Sequence, residues 1–292
     1  MPQLKLADYK TEADNWWCPG CGDFGVLRSL HMALAELQIP PEKIALVAGI
    51  GCSGKIANYV KSYNMHVVHG RALPAAQGIK LANHDLTVLA AGGDGDGYGI
   101  GMGHFLHAIR RNIDITYIVM DNHVYGLTKG QISPTSDAGF KAKAAKPQED
   151  GQIEHQVRPL QLAIAGGATF VAQGFSGQVK ELASIIAKAI THKGFSLVNT
   201  ISPCVTYNYV NTYDFYRDKL RSVADLDGYD PSDRQMALQT VVETGGLIGG
   251  ILFQEETPSY VDCLPHKPET PLAEQDLKLP REQFDRYVEA FR

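Results

Sequence analysis

Leu86-Thr87-Val88-Leu89-Ala90-Ala91-Gly92-Gly93-Asp94-Gly95-Asp96-Gly97 is the stretch that decides the fold. Its first six residues make a short buried strand, and the glycines that follow end it. A strand ending in glycines lets backbone N–H groups approach a phosphate, and an adjacent carboxylate can hold a divalent metal. The next apolar run, residues 115–120, is β-rich and too short for an independent helix. It stops at Asp121-Asn122-His123-Val124-Tyr125-Gly126. Asp94 and Asn122 stand 28 positions apart, about one β-α-β crossover, so they belong at neighbouring strand ends facing one crevice. A carboxylate, an amide oxygen and a backbone carbonyl are hard ligands suited to Mg²⁺ on a diphosphate. Gly-Asp-Gly alone is common in turns; the pairing with Asn122 at crossover spacing carries the diphosphate–metal reading.

Outward from this pair the alternation continues. Helical spacing marks residues 26–37, 74–83, 104–111, 159–165 and 178–192, and strand-like runs occupy 43–48, 169–172 and 195–200. Alternating strands and helices imply an α/β fold with a parallel sheet and helices on both faces. Ligands in such sheets sit at the strand C-terminal ends, where every motif of this chain falls. Two stretches break the rhythm. Residues 128–158, with several Lys, Gly and Pro, read as a long mobile loop. After Cys204 come an aromatic, polar segment at 207–216 and an arm of weak periodicity, assigned to packing or to contact between subunits.

At 292 residues, 44% hydrophobic and 20% charged, the chain has the composition of a soluble globular protein with room for one large α/β domain. A net charge of −5 gives no reason to expect nucleic acid. No apolar run approaches the roughly 18–20 residues of a membrane helix, and residues 1–10 lack the apolar core of a signal peptide. The expectation is a cytoplasmic protein with no membrane association.

The five cysteines are Cys18, Cys21, Cys52, Cys204 and Cys263. An odd number in a cytosolic chain speaks against a disulfide framework. Cys18, Cys21, Cys52 and Cys204 can form a four-thiolate site, with zinc and iron–sulfur equally open on chemistry alone and a Cys-x-x-Cys redox pair behind them. Cys263 reads as a buried small hydrophobe. Residues 49–55 also fit the G-x-x-x-x-G-K spacing of a nucleotide P-loop, but position 56 is Ile where Mg²⁺ binding needs Ser or Thr. A nucleotide-binding α/β protein with structural zinc is therefore the rival reading.

The words around these residues carry a resemblance. Trp17-Cys18-Pro19-Gly20-Cys21-Gly22, Gly51-Cys52-Ser53-Gly54-Lys55, His69-Gly70-Arg71-Ala72-Leu73-Pro74, Gly93-Asp94-Gly95-Asp96-Gly97 and Tyr125-Gly126-Leu127-Thr128-Lys129-Gly130-Gln131 follow in this order. Together they resemble the β subunit of 2-oxoacid:ferredoxin oxidoreductases, the 2-oxoglutarate type above all, over about the first 210 residues. The resemblance implies a thiamine diphosphate-binding fold (the diphosphate-binding domain), with 1–205 as the thiamine- and cluster-binding domain and 206–292 as an extension packing on it or on a partner. It implies Mg²⁺ on Asp94, Asn122 and the carbonyl of Val124, with Gly93, Gly95, Asp96 and His69 at the cofactor. Many members have Asn-Asn where this chain has Asp121-Asn122, but the ligand is the second position. It implies one [4Fe–4S] cluster on Cys18, Cys21, Cys52 and Cys204. Lys55 and Leu127 are then placed at the 2-oxoacid and Lys129 near substrate or coenzyme A, although a solvated lysine is an equally simple reading of Lys129. The implied reaction is CoA-dependent oxidative decarboxylation of 2-oxoglutarate to succinyl-CoA, or its reverse, with ferredoxin as electron carrier; pyruvate or a broader specificity is the alternative. The glutamate that thiamine enzymes place on a separate pyrimidine-binding domain has no room here, so a larger α (or fused γα) subunit is expected to supply it.

Overall fold

The computed structural model describes residues 3–141, 151–265, 269–276 and 278–291. In chain order the strands are β1 (Ile44–Ala48), β2 (Tyr63–His66), β3 (Thr87–Gly93), β4 (Ile115–Asp121), β5 (Val124–Tyr125), β6 (Gln131–Ile132), β7 (Phe170–Phe175), β8 (Phe195–Ile201), β9 (Arg221–Ser222) and β10 (Ile248–Gln254). The helices are α1 (Asp23–Leu37), α2 (Ala72–Ala82), α3 (Met102–Arg111), α4 (Pro159–Ala165), α5 (Val179–Thr191), α6 (Tyr213–Lys219), α7 (Arg234–Glu243) and α8 (Arg281–Ala290). Eight strands form one sheet in the order β2-β1-β3-β4-β8-β7-β10-β9, parallel except for the β7–β10 pair. Short strands β5 and β6 form a separate hairpin.

All seven residues of β4 are buried, as a strand covered on both faces requires. Its alternate residues supply two cores. Ile115, Tyr117 and Val119 pack with Phe105, Phe195 and Leu197, whereas Ile118 and Met120 pack with Leu30, Leu34 and Ile186. This period of two places α1 and α5 on one face and α2, α3, α4 and α7 on the other. Gly93 pairs with Met120 in the β3–β4 register, so Asp94 and Asn122 leave the sheet side by side.

The chain beyond residue 205 adds β9 and β10 to the main sheet. Leu252 and Phe253 of β10, with Ala237 and Val241 of α7, join the core that holds Phe105 and Tyr117. The weak periodicity has a cause: Gly249 and Gly250 interrupt the apolar run, and the β7–β10 register shifts between Ile251 and Phe253. Cys263 corrects an expectation. It is exposed, in a turn after the last strand. Part of the 128–158 stretch, residues 142–150, lies outside the described residues. The rest includes strand β6 and the buried Ser133, Thr135, Ser136 and Gln152. No helix among the described residues is long and apolar enough to cross a membrane.

Candidate cofactor-binding site

At the C-terminal ends of β1, β3 and β4 lies a cavity whose wall includes Cys52, His69, Asp94, Asn122, Val124 and Leu127. Gly93, Gly95 and Asp96 also line it. Lys55 and Lys129 stand outside this lining. The ammonium of Lys55 lies 5.4 Å from the centre of the Trp16 ring. Lys129 is exposed at the end of the β5–β6 hairpin in a left-handed conformation (φ 77°).

Asp94 is buried at the N-terminus of a π-helical turn, Gly95–Ile100. The Thr135 hydroxyl donates to its Oδ2 at 2.6 Å and also lies 3.0 Å from Asp121 Oδ1. One hydroxyl proton cannot serve two carboxylates at once. Burial, with Asp121 close by, pushes the Asp94 carboxyl up to about 6, against hydrogen bonds from Ser133 and Thr135. A divalent cation supplies the positive charge that such a pair of carboxylates lacks. Asn122 Oδ1 accepts from the Val124 amide at 3.1 Å, and the Asn122 carbonyl accepts from Asn208 Nδ2 at 3.0 Å. The amide oxygen is thereby held at the cavity with a further lone pair available. The donor set fits Mg²⁺.

Asp96 turns to the neighbouring loops and fixes the floor of the cavity. Its Oδ1 accepts from the amides of Ile50 at 2.9 Å and Gly70 at 2.8 Å. His69 Nδ1 approaches the same oxygen to 2.7 Å without hydrogen-bond geometry. Asp96 thus joins the loops after β1 and β2 to the turn after β3. A Cβ on Gly95 would fall 2.1 Å from the ring of Tyr125, whose hydroxyl donates to the Gly95 carbonyl at 3.1 Å. That glycine is required by close approach.

Cys52 lines the cavity, and Cys18, Cys21 and Cys204 stand near enough to it to interact electrostatically. Electrostatic coupling links Cys21 with Cys52 and Cys204, and Cys18 with both Cys52 and Cys204. Burial, then Asp23, pushes the Cys52 thiol up to about 11, and burial raises Cys21 and Cys204 as well. Yet the Asp23 amide is aimed at the Cys21 sulfur, and the Thr206 and Tyr207 amides at Cys204. Backbone N–H donors favour a thiolate, as at a metal-bound sulfur. Among the described residues no three His, Cys, Asp or Glu side chains converge as a single metal ion requires. The Trp17 indole donates to the Cys52 carbonyl at 2.7 Å. A Cβ on Gly126 would lie 3.5 Å from Cys52 Sγ and 3.8 Å from Cys204 Sγ, so the loop that carries Asn122 borders the sulfurs.

Residues 49–55 lead into a short 3-10 turn, Ser53–Asn58, where a P-loop would open a longer helix. Sequence reasoning missed Asp121, Thr135 and Asn208. Asp121 was visible beside Asn122; Thr135 and Asn208 carry no local signal, because they reach the site from loops 41 and 86 residues away from their partners.

Residues 49–200 match the family model of the thiamine pyrophosphate enzyme C-terminal TPP-binding domain, and 204–268 that of the C-terminal part of the pyruvate ferredoxin oxidoreductase β subunit. The chain is 49% identical over 224 residues to 2-oxoacid:ferredoxin oxidoreductase 2, subunit beta, of Aeropyrum pernix, covering 77% of this chain and 72% of that one. It is 38% identical over 248 residues to the 2-oxoglutarate synthase subunit KorB of Archaeoglobus fulgidus, covering 82% and 91%. It is also similar to a solved 2-oxoglutarate:ferredoxin oxidoreductase from Magnetococcus marinus with 2-oxoglutarate, coenzyme A and succinyl-CoA bound. That likeness has a TM-score of 0.84 and 42% identity over 89% of this chain and 88% of the other. With the paired Asp94 and Asn122 at the strand ends, these likenesses establish that the chain belongs to the β subunits of the thiamine diphosphate-dependent 2-oxoacid:ferredoxin oxidoreductases.

Proposed function

We propose that this chain is the diphosphate- and cluster-binding half of a cytoplasmic enzyme that converts 2-oxoglutarate and coenzyme A to succinyl-CoA and CO₂, or runs the reverse reductive carboxylation, exchanging electrons with ferredoxin. The observation that carries it is Gly126: one short loop joins the Asn122 cation position to the sulfurs of Cys52 and Cys204. Thiamine diphosphate supplies the electron sink for decarboxylation, and a [4Fe–4S] cluster supplies a one-electron outlet.

The rest is the work of this chain's residues. Asp94, Asn122 and the Val124 carbonyl would hold Mg²⁺, and Gly93 and Gly95 keep side chains out of the diphosphate position. Asp96 sets the floor, with His69 on its rim. Cys18, Cys21, Cys52 and Cys204 would hold the cluster. Leu127, 51% exposed on the cavity wall, is offered as an apolar contact to the 2-oxoacid. Lys55 and Lys129 are offered as the cations for carboxylate and coenzyme phosphate. The aminopyrimidine side needs a group from a larger α (or fused γα) subunit, so the chain alone is inactive in this reading.

The test is anaerobic co-expression with that subunit, followed by iron analysis, thiamine binding and CoA-dependent viologen reduction. About four irons per chain, loss of thiamine binding in Asp94→Ala, and faster turnover of 2-oxoglutarate than pyruvate are expected. Zinc in place of iron, or unchanged thiamine binding in Asp94→Ala, would sink the cofactor assignment. Faster pyruvate turnover would overturn the substrate alone.

A further inference from the structure

Asp23 opens α1, two residues past Cys21, and its side chain is wholly buried. A buried carboxylate is costly unless donors hold it. Its Oδ1 accepts from Ser202 Oγ at 2.6 Å. The side chains of Cys21 and Ser53 stand beside the same carboxylate, and its Oδ2 is buried without a hydrogen bond of good geometry. Each neighbour belongs to a different cysteine-bearing segment: Cys21 itself, Ser53 next to Cys52, and Ser202 two residues before Cys204. The backbone repeats the connection, because the Gly22 amide donates to the Pro203 carbonyl at 3.1 Å. A Cβ on Gly22 would come within 2.5 Å of Ser202 Oγ. Apolar residues would fill such a position at lower cost, so the carboxylate stands out as an organising group. Ser53 extends the connection further: its Oγ lies 3.2 Å from where a Cβ on Gly93 would stand.

We infer that Asp23 is a positioning residue for the four-cysteine site, a buried carboxylate that ties the segments of Cys21, Cys52 and Cys204 into one arrangement. The inference rests on the cluster reading of those cysteines. Asp23 touches no substrate; it acts through the three segments it joins. The side-chain oxygen of Asn at position 23 can still accept from Ser202, whereas Ala removes the acceptor.

The experiment strips iron from the anaerobically purified complex with a chromogenic chelator, for wild type, Asp23→Ala, Asp23→Asn and Ser202→Ala, alongside visible absorbance and thermal midpoints. Loss of such a supporting contact weakens metal retention by roughly 10- to 100-fold. Asp23→Ala is therefore expected to lose iron about tenfold faster than wild type, with Asp23→Asn restoring most of the retention. If Asp23→Ala does not fold, Ser202→Ala carries the test and is expected to lose iron severalfold faster. Equal stripping rates in all folded variants overturn the assignment alone. A wild-type complex holding no iron, or holding zinc, overturns the cluster reading and the assignment with it.

Discussion

Thr135 donates a hydrogen bond to Asp94 Oδ2 at 2.6 Å, across 41 residues of sequence. The hydroxyl fixes the orientation of the carboxylate proposed for the cation. Thr135→Val keeps the shape and removes the donor. Its affinity for thiamine diphosphate with Mg²⁺ should fall roughly tenfold or more, and Thr135→Ser should restore it. Titration by intrinsic fluorescence measures this; wild-type affinity in Thr135→Val would refute the role.

Asp96 is the acceptor for two loop amides, that of Ile50 in a part-buried bond and that of Gly70 in a buried one. Asp96→Ala leaves both donors unpaired, and at about 1–3 kcal/mol for each such group the chain should lose several degrees of thermal midpoint. Asp96→Asn retains an acceptor oxygen and should lose much less. Equal midpoints for the two variants would contradict the floor-fixing role.

The contact of Gly95 with the Tyr125 ring predicts a coupled pair. Gly95→Ala places a methyl 2.1 Å from Tyr125 Cε1, and overpacking of this kind costs about 1–3 kcal/mol. Adding Tyr125→Ala should recover part of that loss, so the double-mutant cycle will be non-additive. Strict additivity of denaturant midpoints would show that the ring is not the obstacle.

His31 is buried, and that burial lowers its imidazole to about 4, while Nε2 contacts the Tyr59 carbonyl at 3.1 Å. The unfolded chain protonates this histidine near its ordinary pKa, before the folded chain does. Stability is therefore full above about pH 6.5 and declines as pH falls towards 4, by up to roughly 3 kcal/mol. His31→Gln can still donate to Tyr59 and should flatten this part of the pH profile. Urea unfolding at pH 7 and pH 4.5 compares them; an identical acid loss in both would exclude His31 as its source.

Phe253 is fully buried in β10 and lies under the Arg234 guanidinium, 4.1 Å from its ring centre. Phe253→Ala should destabilise the whole chain by about 3–5 kcal/mol, in one cooperative transition, because β10 shares the main core. A separate, early-melting phase would mean that the C-terminal segment folds as its own unit.

The central strands, the helices between them and the juxtaposition of Asp94 with Asn122 were legible in the sequence. Apolar runs of strand length, glycine at strand ends and crossover spacing are local properties of the chain. Strand β10 was not, because Gly249 and Gly250 dilute its pattern and only the β7 edge selects it. Nor was the burial state of Cys263, which depends on what covers a turn. At the site, the identities of the ligand candidates stand in the sequence, since Asp, Asn and Cys are the residue types the chemistry needs. What holds them was decided by the tertiary structure alone: Thr135 on Asp94, Asn208 on Asn122, Asp23 between the cysteine segments. Those contacts join residues far apart in the chain, and a hydrogen bond between distant loops leaves no periodicity to read. The glycine-rich stretch and the cysteines stand apart in the sequence; only folding brings Gly126 against the sulfurs of Cys52 and Cys204.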